Sequence, residues 1–223
     1  MSIKIDLKIF IFLFIFVLTR QVKIYTFLMT FALIHELGHL FAGLILGFKP
    51  KTLKIMPYGF SISFNVPYKN YNQKVYNANI LALKKMIIAL AGPLTNLIII
   101  IITFLIFKAP NDISFIKNTE LIIYSNILIF VFNLLPIYPL DGGRILKQTV
   151  HLAKGLKNSY TYTYLISNIT IIILTALASI GILIYKNIAI LIIIMYLWFI
   201  TIQQNKYYKN KIKIINMICW KIC

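Results

Sequence analysis

The chain has 223 residues, enough for one ordinary domain. With 60% hydrophobic residues, 13% charged residues and a mean hydropathy of +0.85, it carries more apolar surface than a soluble domain of this size can hide. The net charge of +18 sits on lysines that bracket apolar runs, which points to anionic lipid heads. No nucleic acid is expected as a partner, because no finger-like Cys/His spacing or other binding signature accompanies the charge.

Six membrane spans are predicted in chain order, at about residues 9–19, 24–47, 86–107, 120–138, 163–185 and 188–203. The first is short and lacks a small-x-small cleavage site, so it reads as an anchor that is kept. Between the second and third spans, Phe60, Ile62, Phe64 and Val66 alternate with Ser61, Ser63 and Asn65. Period two predicts an amphipathic strand, bounded by Pro57 and Pro67, in a short hairpin or at a sheet edge. In the fourth span, Pro136 and Pro139 should break the helix near one membrane face, and Gly142 and Gly143 allow a turn. The tail at 205–223 mixes Lys with Ile, Met and Trp; it fits either an amphipathic surface helix or a solvated end. Its two cysteines, Cys219 and Cys223, are spaced for neither a Cys-x-x-Cys site nor a prenylation signal, and read as free cytoplasmic thiols.

Charge sets the orientation. With both termini cytoplasmic, 18 of the 23 Lys and Arg residues fall on the cytoplasmic side. The expected class is therefore an all-α polytopic membrane protein with six transmembrane helices. Residues 1–204 form the membrane-embedded domain and 205–223 a basic cytoplasmic tail.

Of the five acidic residues, Asp6, Asp112 and Glu120 fall at predicted edges or loops. Glu36 lies inside a span, where a charge is costly and marks function by default. It stands in His35-Glu36-Leu37-Gly38-His39. Histidines four apart share one helix face, so two imidazoles can hold one zinc ion while Glu36 reaches a water as general base. A catalytic zinc takes a third protein ligand, for which Asp141 and His151 are the candidates. Asp141 lies just after the prolines, where broken backbone at membrane depth can line a cavity; alone, it also reads as an ordinary helix cap. His151 lies among Lys147, Lys154 and Lys157 and reads as a surface residue.

These motifs together resemble the site-2 protease family of intramembrane zinc metalloproteases. His-Glu-Leu-Gly-His at 35–39 matches its first motif, and Asn133 through Gly143 (Asn-Leu-Leu-Pro-Ile-Tyr-Pro-Leu-Asp-Gly-Gly) its second. Ala91 through Asn96 (Ala-Gly-Pro-Leu-Thr-Asn) matches a Gly-Pro stretch in the intervening span. Within the family the chain looks most like the stage IV sporulation protein FB branch. The resemblance implies a Zn2+ cofactor on His35, His39 and Asp141, Glu36 as catalytic acid/base, and Asn133 as a substrate or transition-state contact. It also implies that residues 55–67 form a re-entrant β element that pairs with an unwound substrate.

The activity so implied is hydrolysis of a peptide bond within or near a transmembrane segment of a membrane-tethered substrate, a pro-sigma factor in sporulation if the branch assignment holds. The implied partners are that substrate, the lipid bilayer and regulatory membrane proteins; the implied location is the bacterial cell membrane. Many members of the branch carry a C-terminal cystathionine-β-synthase-type domain, which a chain ending at residue 223 is expected to lack. The competing readings are a transporter with an intramembrane ion site and a catalytically silent scaffold that keeps the metal.

Overall fold

The computed structural model describes residues 2–7, 9–10, 14, 17–18, 20, 22–56, 59–65, 76–106, 113–185 and 188–222. Three strands are β1 (Ser2–Ile5), β2 (Lys49–Met56) and β3 (Gly59–Asn65). Among the described residues the helices of defined extent are α1 (Val22–Ile45), α2 (Tyr76–Ile106), α3 (Ile113–Leu134), α4 (Asp141–Tyr185) and α5 (Ile188–Ile222). They divide into two compact units: Met1–Lys74 with Ile87–Asn133, and Val75–Met86 with Leu134–Cys223.

The first unit holds the sheet, α1, α3 and most of α2. Strand order is β1-β2-β3, with β1 parallel to β2 and β2 antiparallel to β3. The ladder slips between Pro50 and Thr52, where a proline lacks the N–H that a regular register needs. Strand β3 lies along α1: Phe64 rests on Gly43, where a Cβ would come within 2.5 Å of its ring, and meets Phe48 edge-on at 6.2 Å. Helix α1 in turn approaches α2 through Gly38, where a Cβ would stand 3.0 Å from the carbonyl of Ala91.

The second unit joins the start of α2 to the loop 135–140, α4 and α5. Helix α4 is interrupted at Gly155, whose φ of 80° and ψ of 173° separate two helical segments. Asn205 of α5 donates to Asn168 of α4 at 2.8 Å. Ile137 in the loop and Ile171 on α4 are fully buried.

The polarity pattern is inverted relative to a soluble core. His35, Glu36, His39, Asn96 and Asn126 are buried, while Phe41, Ile45, Phe104 and Ile106 are well exposed. Such a surface is stable against lipid and not against water, since acyl chains, unlike water, welcome apolar side chains. Among the described residues three helices are long and apolar enough to cross a membrane: Val22–Ile45, Ala78–Ile106 and Asp141–Gly181. Asn118–Leu134 is a shorter apolar helix.

Several elements differ from the sequence expectation. The class is mostly helical but not all-α, because the β element expected around 55–67 takes in the end of β2 and all of β3 in a three-stranded sheet. Strand β2 escaped notice because its polar residues, Lys49, Lys51, Thr52 and Lys54, break any apolar alternation. Strand β1 pairs with residues about fifty positions away, which local pattern does not register. The expected strand at 60–66 is β3 at 59–65, with Val66, Pro57 and Pro67 outside the described residues. The proline-broken end of the fourth span is present: α3 stops at Leu134. Most of the expected first span, 9–19, lies outside the described residues. Helix α5 passes the expected boundary at 204/205 without interruption.

Candidate metal centre

His35 and His39 sit on the buried face of α1, their rings edge-on with centroids 4.8 Å apart. Each ring is fixed through its Nδ1. His39 Nδ1 donates to the carbonyl of Ile88 at 2.7 Å. A carbonyl can only accept, so the proton of neutral His39 is on Nδ1 and its lone pair on Nε2. His35 Nδ1 meets Asn96 Oδ1 at 2.5 Å. Asn96 Nδ2 donates to Asn126 Oδ1 at 2.9 Å, and Asn126 Nδ2 donates to the carbonyl of Ile122 at 2.8 Å. That last carbonyl fixes the direction of the whole chain. Asn126 must present its amide nitrogen to Ile122, hence its oxygen to Asn96, and Asn96 must present its oxygen to His35. The Nδ1 of His35 therefore carries a proton too.

Both Nε2 atoms then point lone pairs toward each other across 3.1 Å. Two facing lone pairs at that distance repel unless a cation lies between them or beside them. Gly92 of α2 keeps the space clear: a Cβ there would stand 2.6 Å from His35 Nε2 and closer still to His39 Nε2.

Asp141 opens α4 and its side chain is 4% exposed. Its Oδ1 accepts a hydrogen bond from Arg144 Nη1 at 3.3 Å. Gly142 and Gly143 serve close approach here: a Cβ on the former would strike the carbonyl of Leu134, and on the latter the backbone of Ile137 and Tyr138. The loop 135–140 is thereby pressed against the first turn of α4. His35, His39 and Asp141, all buried, each offer one ligand atom, and these atoms lie within 4.8 Å of one another. Among the described residues this is the group of His, Cys, Asp or Glu side chains able to hold a metal ion, and His151 is not in it.

Glu36 is 9% exposed, and its Oε2 accepts the backbone N–H of Ile62 at 3.2 Å. That bond ties the carboxylate to β3. Asn133 is half-buried, and its Nδ2 donates to the carbonyl of Ile129 one turn back at 3.0 Å. Residue-by-residue reading gave no role to Asn96 and Asn126. The available signal was position: an amide in the middle of an apolar span needs a polar partner there.

The donor set fits zinc. Two neutral imidazoles and one carboxylate, with each imidazole Nδ1 hydrogen-bonded behind it, are the ligands and the supporting shell that catalytic zinc takes, leaving one position open.

An apolar helical frame with such a group buried in it defines a class, the helical membrane proteins with an internal metal-type site. Comparison with known proteins narrows it. Residues 108–177 match the model of peptidase family M50. The chain is 28% identical over 133 residues to stage IV sporulation protein FB of Bacillus subtilis, covering 58% of this chain and 41% of that protein. It is 26% identical over 188 residues to a zinc metalloprotease of Methanocaldococcus jannaschii, covering 82% of this chain and 49% of that protein. It thus spans less than half the length of either relative. The solved site-2 protease from Methanocaldococcus jannaschii matches with a TM-score of 0.63 at 20% identity, over 91% of this chain and 90% of that one. The chain has the site-2 protease fold, and the family resemblance read from its motifs extends to the family model and to both relatives.

Proposed function

We propose that this chain is an intramembrane zinc metalloprotease of the site-2 type. The observation that carries the reading is the convergence of His35, His39 and Asp141, with both imidazole lone pairs turned inward. In this reading those three residues hold zinc and Glu36, next to His35 on α1, is the general acid/base. Zinc, when bound, would polarise the scissile carbonyl and acidify a water molecule. Glu36 takes the proton of the attacking water and returns it to the leaving amide nitrogen, so one carboxylate serves both halves of the hydrolysis.

Strand β3 supplies the binding surface. Ile62 turns its N–H toward Glu36 and away from β2, so the antiparallel pattern puts the backbone groups of Phe60, Ile62 and Phe64 on the open edge of β3. An unwound substrate segment can add there as a further strand, recognised through its backbone beside the acid/base. Asn133, near the end of α3, is a candidate contact for that segment or for the developing oxyanion.

The substrate class in this reading is a membrane-tethered protein cut within or near its membrane segment, with regulatory membrane proteins as further partners. The distribution of Lys and Arg supports a six-span layout with both termini cytoplasmic, and the similarity to a Bacillus subtilis protein supports a bacterial cell membrane. The similarity to stage IV sporulation protein FB supports a finer proposal, a pro-sigma factor processed during sporulation.

The test is Glu36→Gln, assayed as purified protein on a membrane-tethered, single-span reporter. Cleavage should fall at least about 100-fold while bound zinc stays at the wild-type level. Retained cleavage by this variant would overturn the mechanism.

A further inference from the structure

Lys147 of α4 lies among three tyrosine rings. Its Nζ is 4.2 Å from the ring centroid of Tyr160, 5.1 Å from Tyr208 and 5.3 Å from Tyr138. The rings also touch one another: Tyr208 is 5.2 Å, centroid to centroid, from both Tyr138 and Tyr160. All three distances from the ammonium fall inside cation–π range.

Each ring comes from a different stretch of chain. Tyr138 belongs to the loop that ends at Asp141. Tyr160 lies beyond Gly155, on the second segment of α4. Tyr208, 1% exposed, belongs to α5. Lys147 itself lies between Asp141 and Gly155. The break at Gly155 is an open joint: its φ is positive, and a Cβ there would meet nothing within 4 Å. Next to the joint, Asn158 Nδ2 donates to the carbonyl of Lys154 at 2.8 Å and Lys154 Nζ lies 3.4 Å from the Tyr162 hydroxyl, both contacts at exposed positions. The lysine–tyrosine cluster bridges that joint. Ser167, also past it, adds a second tie by accepting from Tyr138 N at 3.2 Å and donating to the carbonyl of Pro136 at 3.3 Å.

We propose that Lys147 and Tyr208 are positioning residues for Asp141, with the tyrosine cluster clamping the Asp141-bearing loop and first segment of α4 across the Gly155 joint. The inference rests on the metal reading above. It gives the C-terminal helix a part in building the site. The clamp acts through the ring faces and the ammonium charge; the Tyr208 hydroxyl has no hydrogen-bond partner among the described residues, so the hydroxyl is not what holds it.

The test uses the full chain, reconstituted in lipid, with zinc as the probe and a chelator as competitor. Lys147→Met keeps the length and loses the charge; Tyr208→Leu loses the ring. Both should weaken zinc binding by about 10- to 100-fold, the usual cost of disturbing groups behind a metal ligand. Lys147→Arg and Tyr208→Phe should restore affinity to within about threefold of wild type. The zinc-free Lys147→Met, Lys147→Arg and Tyr208→Phe variants should melt with the zinc-free wild type, while Tyr208→Leu loses stability with its buried ring; amide exchange over 134–145 should quicken in Lys147→Met and Tyr208→Leu alone. Wild-type zinc affinity in Lys147→Met overturns the clamp and leaves the metal reading standing. A parallel loss of zinc-free melting temperature and zinc affinity in Lys147→Met makes the cluster merely structural and also overturns it. A wild type that takes up no zinc overturns the metal reading, and the clamp with it.

Discussion

Asn96 decides which nitrogen of His35 faces the ligand site. It accepts from Nδ1, and it is itself held in that orientation by Asn126 and the Ile122 carbonyl. Asn96→Leu leaves a buried imidazole N–H without this acceptor and lets the ring turn or change tautomer. Zinc affinity should fall about 10- to 100-fold, read by chelator competition, with the helical content unchanged. Affinity equal to wild type would mean that the Asn96 bond does not set the tautomer. At this scale the sequence pointed to His35, His39 and Asp141, the candidate ligand group, and was silent about the groups behind them. His-Glu-x-x-His carries its meaning in spacing alone, and Asp141 in its place after two prolines. The amide chain depends on which face of α2 and of α3 meets α1, and spans that are apolar nearly all round conceal that face. The role of Gly142 and Gly143 was likewise half legible. Glycine was required, but for close backbone approach and not for a positive φ.

Among the elements, β3 joins the sheet to the candidate acid/base. Its period-two pattern was readable because Phe and Ile alternate with Ser over the whole strand. The sheet around it was not, since β1 and β2 take their pairing from a distant partner and from polar residues. Ile62→Pro tests the link between strand and carboxylate. Proline removes the N–H that Glu36 accepts, and because that N–H points away from β2 the ladder itself loses no bond. Zinc binding should persist while cleavage of a membrane-tethered reporter falls about tenfold or more, a part of what a well-placed acid/base contributes. Unchanged cleavage would show that the Ile62 bond neither orients Glu36 nor marks the edge on which substrate is held.

For the molecule as a whole, the long helices were the most legible feature, because span length and apolar composition are local properties. Their ends were less so: α2 begins about ten residues earlier than predicted, and α5 runs through the tail, as polar turns can continue a helix that its apolar part has nucleated. The inverted polarity of the fold would give a metal bound at His35, His39 and Asp141 a thermodynamic role as well as a chemical one. Buried imidazoles and a buried carboxylate cost free energy unless something compensates them, so a cation that binds only the folded chain should stabilise it by mass action. At free zinc one hundred times its dissociation constant the gain is about 2.7 kcal/mol. For a chain of this size that corresponds to roughly 5–10 °C in melting temperature. Chelation should therefore lower the melting temperature of the wild type by about that amount. His39→Ala removes one of the two inward lone pairs, so its melting temperature should be the same with and without chelator. A chelator effect of equal size in both proteins would mean that the metal stabilises the chain somewhere other than between these histidines.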